Sequence, residues 1–297
     1  MNCQLSVPAK TFILGEYLVL RGGKSILLTS HPSFVLNVTK GENKTRIRCK
    51  HIHNESPAGD FINRHLNFYQ NFNLEFFDPY KGIGGLGASS AQFALIYALK
   101  MQLKKLVDED LFHALEAYSH SAWNGEGIAP SGADIIAQLK GGLCLFHPEK
   151  QTIKNMEWPF SSLDYCLIHT NNKIATHNHL KSLDGLDVKG LANIVEDGLN
   201  SLEKKDAGLF AESIRRYRER LEQKQLVLHE TQMIVSQIES LSFVLAAKGC
   251  GALCADIIFV LLESESKEFF RAWCTKKNLR IIYLGQELGN GLKWKCF

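Results

Sequence analysis

A chain of 297 residues, 45% hydrophobic and 22% charged, can build two medium domains around a substantial core and has the balance of a soluble globular protein. A formal net charge of +3 gives no footing for nucleic acid; the densest basic patch, RRYRER at 215–220, is interrupted by Glu219 and reads as a solvated helix face. Lys10 and Glu16 fall inside the first apolar run, which argues against a secretory signal, and no stretch approaches the roughly 18 uninterrupted apolar residues of a membrane span.

In chain order, residues 3–20 read as a strand, a break at Pro8, and a second extended segment, TFILGEYLVL. Gly15 and Glu16 are poor packing choices there and suggest a functional bend. RGGK at 21–24 is a turn, and SFVLNVTK and TRIRCK within 25–50 alternate as antiparallel strands do. Residues 51–62 look like loop, FINRHLNFYQNF like a helix, and NLEFFD like a strand entering Pro79. Residues 108–125 are helical with Asp108 as the expected cap, followed by a loop, a short helix and a glycine stop at 125–142, then the strand LCLFHP. LDYCLIHT (163–170) reads as a buried strand, NNKIATHNHLKSL as a loop entering a helix, and 188–240 as helical. Strand, glycine turn and strand follow at 242–264, then a helix (265–277), a strand (LRIIYL) and a tail. The loop WPFSS and the change to long helices beyond it divide the chain near residue 160.

The eight cysteines form no CxxC and most sit in apolar surroundings, as reduced thiols of a cytoplasmic protein do. His51 with His53, and His177 with His179, alternate; surface histidine is the commoner reason for such pairs than metal binding.

The stretch GIGGLGASSAQFALIYAL (82–99) carries the strongest chemical signal. Gly82, Gly84, Gly85 and Gly87 lead into Ala88, Ser89 and Ser90 and then an apolar helix, with Ser89 or Ser90 as its cap. Outward amide groups and the positive end of the helix dipole make a seat for phosphate. The loop matches neither GxxxxGK[ST] nor GxGxxG with its acidic partner.

Three segments in order resemble the GHMP kinases, named for galactokinase and the homoserine, mevalonate and phosphomevalonate kinases. PAKTFILGEYLVLRGG (8–23) resembles that family's first motif, GIGGLGASSAQF its second, and LAAKGCGALCAD (245–256) its third. GEY at 15–17, HSAWNGEGIAPSGADIIAQLKGG (120–142) and TNNKIATHNHL (170–180) are similar to the phosphomevalonate kinase branch. The third motif departs from the family, with Leu253, Cys254 and Ala255 where glycines stand, and Asn124 replaces an expected Gln.

The resemblance implies an α+β, two-domain fold, with a ribosomal-protein-S5-like N-terminal domain (1–160) and a ferredoxin-like C-terminal domain (161–297). It implies ATP and Mg²⁺ as cofactors, and phosphorylation of a small mevalonate-pathway acid, foremost phosphomevalonate. Mevalonate kinase, and a catalytically weakened binding protein on the same scaffold, are the rivals; a homodimer stays open. Lys10 and Asp134 become the catalytic candidates, one neutralising charge on the moving phosphoryl group and the other acting as base or charge partner. Gly84, Gly85, Leu86, Gly87, Ala88, Ser89, Ser90, Lys248 and Gly251 are expected at the nucleotide. Ser131, Gly132, Lys173, Thr176, His177 and His120 join Lys10 at the acceptor, and Ser89, Ser90 and Glu126 are expected at the metal. Each also has an ordinary reading: Asp134 as a helix cap, Lys10 as a strand-end lysine, His120 as part of a solvated helix face.

Overall fold

The structure, a computed structural model, describes residues 2–41, 48–170, 187–251 and 257–297. Among them lie two sheets. The first is seven-stranded: β1 (Cys3–Leu14), β2 (Ser25–Lys40), β3 (Arg48–Lys50), β4 (Phe72–Phe77), β5 (Leu143–His147), β6 (Thr152–Met156) and β11 (Lys293–Cys296). Its main path runs β11-β1-β2-β4-β3, with β5 on β2 and β6 on β5. The second has four strands in the order β10-β7-β9-β8: β7 (Leu163–His169), β8 (Val244–Cys250), β9 (Ile257–Glu263) and β10 (Arg280–Gly285). The chain leaves the first sheet after Met156, enters the second at Leu163, and returns to pair β11 with β1.

The helices are α1 (Pro57–Arg64), α2 (Leu66–Tyr69), α3 (Ala88–Met101), α4 (Asp108–Ala122), α5 (Ala133–Lys140), α6 (Leu191–Lys204), α7 (Ala207–Gln223), α8 (His229–Glu239) and α9 (Lys267–Lys276). α3 buries every residue from Phe93 to Leu99, which accounts for its unbroken apolar run: it fills the space between the first sheet and its neighbouring helices instead of lying on the surface. The runs in β7 and β9 have the same cause. Tyr165, Leu167, Phe259 and Leu261 enter the large core with Phe210 and Tyr217 of α7, while Cys166, Ile168, Ile258 and Val260 enter a second core with Ile238 and Phe270. Alternate residues of a strand face opposite ways, so a strand covered on both faces reads as continuously apolar.

Several local expectations change. Pro8 does not end the first strand; β1 runs through it, and the pairing with β2 shifts register between Val7 and Ala9, where a residue without an N–H donor is tolerated. YLVL is not extended: Gly15, at φ +95°, turns the chain, and residues 19–21 form a short 3₁₀ turn. A Cβ on Gly15 would lie 2.5 Å from Ser25 Cα, so β1 and the start of β2 close over it with no room for a side chain. The expected 61–72 helix is two pieces, beginning at Pro57 inside the anticipated loop, with the Ser56 hydroxyl accepting from Gly59 N–H at 3.1 Å. Val107, not Asp108, is the N-cap of α4. β6 and β11 were not anticipated. No helix among the described residues is long and apolar enough to cross a membrane.

Candidate active site

Three chain segments converge where the glycine loop meets β1. The backbone N–H of Lys10 donates to Leu86 O at 3.1 Å, holding the loop against the strand. The Gln138 amide, fully buried on α5, donates to Pro8 O at 3.2 Å and to Gly87 O at 2.9 Å, so one side chain joins β1, the loop and α5. Gly87, at φ +86°, is the N-cap of α3. A Cβ there would stand 2.9 Å from Gln138 Nε2 and 3.0 Å from Lys10 Cε, which is why this position takes glycine.

The serines separate by environment. Ser90 is buried, and its hydroxyl donates back to Gly87 O at 3.0 Å, whereas Ser89 is exposed at the mouth of the helix. Neither is the cap expected from the sequence. Ala91 N–H closes the first helical turn on Gly87 O, which leaves the amides of Ala88, Ser89 and Ser90 without intrahelical acceptors. Those groups and the dipole of a 14-residue helix suit phosphate oxygens. The cradle suits a phosphate group, with the Ser89 hydroxyl exposed beside it. Among the described residues no group of three or more His, Cys, Asp or Glu is assembled for a metal.

Beside the cradle, Lys10 Nζ lies 3.0 Å from Asp134 Oδ2. The two come from β1 and from the first turn of α5, and the lysine is only 7% exposed. A buried ammonium keeps its charge only with an anionic partner, and the carboxylate, one-third exposed, supplies it while facing open space. Lys10 Nζ also lies 5.1 Å from the centre of the Phe12 ring. Ser131 accepts from Ala133 N–H at 3.3 Å, and Gly132, at φ +67°, caps α5, so both shape the turn that presents Asp134.

Lys248, expected at the nucleotide, is held against the bend after β1. It is fully buried on β8; its ammonium is ion-paired with Glu16 Oε1 and donates to Gly249 O at 3.0 Å. The Tyr217 hydroxyl of α7 donates to Glu16 O at 2.7 Å, so the bend after β1 is clamped from both the second sheet and α7. Burial pushes the Glu16 carboxyl above its ordinary range, with Lys248 and, less strongly, Lys10 pulling it back. Glu16 Oε2 is buried with no hydrogen-bond partner among the described residues.

His120 is exposed at the end of α4, where its carbonyl accepts from Arg64 at 3.0 Å. Glu126 is exposed in the following loop, its carbonyl accepting from Trp123 Nε1 at 2.8 Å. Neither side chain is drawn into the Lys10–Asp134 group by a described contact. Gly251, at φ +93°, ends the described part of β8 and its turn. Lys173, Thr176 and His177 lie outside the described residues, as do Leu253, Cys254 and Ala255. Gln138 was missed in the sequence; its signal was an amide at a core position of IIAQL, between Ile136 and Leu139.

No family model and no curated protein sequence matches the chain. Solved structures do. A Lin0012 protein from Listeria innocua superposes with a TM-score of 0.82 at 14% identity, covering 99% of both chains. Streptococcus pneumoniae phosphomevalonate kinase, solved in complex with phosphomevalonate and AMPPNP, gives 0.76 at 15% identity over 96% of this chain and 99% of its own. Methanococcus jannaschii mevalonate kinase gives 0.72 at 14% identity over 96% and 98%. The chain therefore has the two-domain α+β fold of the GHMP kinases.

Proposed function

We propose that the protein is an ATP-dependent small-molecule kinase that phosphorylates a small mevalonate-pathway acid, with phosphomevalonate as the acceptor. The observation that carries this reading is the Lys10–Asp134 pair, 3.0 Å apart, beside a glycine loop whose helix opens with unpaired amides. ATP supplies the phosphoryl group. Gly85, Leu86, Gly87, Ala88 and Ser89 would hold its phosphates through the backbone, and Ser89 would add a hydroxyl toward Mg²⁺, with Glu126 as a candidate carboxylate. Lys10 neutralises charge that builds on the oxygens in flight, and its buried stem keeps the ammonium from wandering. Asp134 fixes Lys10 and faces the acceptor oxygen. A phosphate acceptor is already ionised near neutral pH, so Asp134 then orients and balances charge; for an alcohol it would have to take the proton.

Support for the acceptor comes from the motif similarity at 120–142 and 170–180 and from the fold shared with a kinase solved with phosphomevalonate. The decisive assay couples ADP release from purified protein to each acceptor. Turnover with phosphomevalonate upholds the proposal, turnover with mevalonate alone moves the acceptor to the alcohol, and turnover with neither refutes both. Lys10→Ala and Asp134→Ala are each expected to lower kcat by orders of magnitude with an unchanged circular-dichroism spectrum.

A further inference from the structure

The two ends of the chain meet in one ladder. In the antiparallel pairing of β1 with β11, Cys3 stands directly opposite Cys296. One step outward, Phe297 N–H donates to Asn2 O at 3.1 Å, so Asn2 and Phe297 form a hydrogen-bonded pair. Pairs alternate along an antiparallel ladder, which makes Cys3 and Cys296 a non-hydrogen-bonded pair, the kind whose side chains approach more closely. Such pairs have Cα atoms about 4.5 Å apart, inside the roughly 4.4–6.8 Å that a disulfide spans.

We propose that Cys3 and Cys296 are a reversible disulfide site that fastens the C-terminal strand to β1 under oxidising conditions. Both are free thiols in the structure. They differ in access: Cys296 is exposed on the outermost strand, and Cys3 is 2% exposed beneath it. The order of events follows from that difference. The Cys296 thiolate attacks the sulfur–sulfur bond of a small-molecule disulfide such as oxidised glutathione, forming a mixed disulfide and releasing one glutathione thiolate. The Cys3 thiolate then displaces the second glutathione, closing the Cys3–Cys296 bond; each cysteine gives up one proton, and two glutathione thiols leave. Burial, followed by the neighbouring Cys296, raises the Cys3 thiol above its ordinary value, so higher pH favours the Cys3 thiolate that closes the bond.

Oxidation bears on more than two residues. The segment leading into β11 is laid across the first sheet: Gly289 N–H donates to Thr29 O at 2.9 Å, Gly142 N–H to Gly289 O at 2.9 Å, and Leu292 N–H to Leu139 O, at the end of α5, at 2.9 Å. Among the described residues β11 has a single partner strand, which makes it a natural place for the fold to open. A covalent bond at its end closes almost the whole chain into one ring and holds this strap on the helix that carries Asp134. Cys166 and Cys274, which also influence one another, are both buried in the second core and out of reach of a soluble disulfide.

The folded protein is incubated in glutathione buffers of increasing oxidised fraction, free thiols are blocked, and the digest is mapped by mass spectrometry. The expected result is loss of two hydrogens from the intact mass, the Cys3 peptide joined to the Cys296 peptide, and a rise in Tm that a reductant reverses. Cys296→Ser should show none of these, and Cys3→Ser should accumulate a glutathione adduct at Cys296, because the resolving thiol is gone. A persistent adduct on Cys296 in the parent protein, a bond to any other cysteine, or two free thiols in a buffer that oxidises the urea-unfolded chain would each overturn the proposal.

Discussion

Replacing Lys248 with Met keeps the length of the side chain and removes its charge, leaving Glu16 buried without its ion-pair partner. Glu16 is 6% exposed, and Lys248 is fully buried at the junction of β8 with the bend after β1. Removing one partner of a buried ion pair typically costs about 3–5 kcal/mol. The stranded carboxylate has one escape, which is to take up a proton. Each pH unit above the ordinary carboxyl value of about 4.3 adds about 1.4 kcal/mol to that uptake, so at pH 7 it costs about 3.7 kcal/mol and at pH 5 only about 1 kcal/mol. The two routes agree at neutral pH and make the loss pH-dependent. The sign follows from burial: the folded carboxyl titrates above the unfolded one, so the folded state binds the proton more tightly. Its stability is greatest below about pH 4.3 and falls as pH rises toward the folded value. Lys248 restrains that decline in the parent protein; the variant lacks the restraint. Lys248→Met should therefore unfold roughly 5–8 °C earlier at pH 7, with much of the deficit gone at pH 5. Glu16→Gln combined with Lys248→Met removes both charges and should recover most of the loss. Urea midpoints and thermal scans at the two pH values test this. A deficit below about 1 kcal/mol at pH 7, or one of the same size at pH 5, would refute the reasoning.

Gly87→Ala introduces a Cβ at 2.9 Å from Gln138 Nε2 and 3.0 Å from Lys10 Cε, at a backbone φ of +86°. It should cost about 1–2 kcal/mol of stability from the backbone alone and lower kcat more than it raises the KM for ATP, because Lys10 is displaced; kinetics at saturating acceptor measures the split. His147 is 9% exposed, its Nδ1 accepts from Lys150 N–H at 3.4 Å, and burial, with Lys150 and Lys24 nearby, lowers its pKa. Its folded value lies below the unfolded one, so stability is full above about pH 6.5 and is lost as pH falls through the folded value; His147→Gln should flatten that slope in urea midpoints between pH 7.5 and 5.5. Tyr217→Phe removes the 2.7 Å donor to Glu16 O and should cost about 1–3 kcal/mol in the same denaturation assay.

The parts of this fold that the sequence makes legible are those where one local pattern has one outcome. LDYCLIH and IIFVLLE are apolar at every phase because both faces of the second sheet are covered, and the glycine loop and α3 announce themselves by composition. β11 is hidden for the opposite reason. The alternation Lys-Trp-Lys-Cys at 293–296 is only four residues long, too short to stand out, and its partner strand is β1, far away in sequence. The Glu16–Lys248 pair joins residues 232 positions apart. Glu16 was visible as a charge inside an apolar run, and the resemblance drew Lys248 toward phosphate. What the pattern cannot state is that two misplaced opposite charges answer one another; that depends on β8 crossing behind the bend after β1, which is a tertiary fact. Gln138 escaped in the same way, since an amide at a core position reads as a flaw until the carbonyls of Pro8 and Gly87 are brought to it.

Asp134→Asn separates the two acceptor chemistries without knowledge of how the acceptor is held. The amide keeps an oxygen where Lys10 Nζ now finds Oδ2 at 3.0 Å, so the lysine stays in place, but it can neither take a proton nor balance the ammonium. With an alcohol acceptor the lost base costs about 10²–10⁴ in kcat, and activity should recover as rising pH ionises the alcohol without help. With a phosphate acceptor the attacking oxygen is already charged, so the loss is electrostatic, smaller, and flat with pH above the second phosphate ionisation near 6. Lys10 is 7% exposed in either case, so the variant should also be less stable by an amount that does not depend on the acceptor. A variant that loses stability yet keeps full kcat would leave Asp134 as a partner that holds Lys10 and nothing more. A pH-independent loss with phosphomevalonate, together with no turnover of mevalonate, is the outcome expected of the proposed acceptor, to which the sequence similarity of 120–142 and 170–180 points.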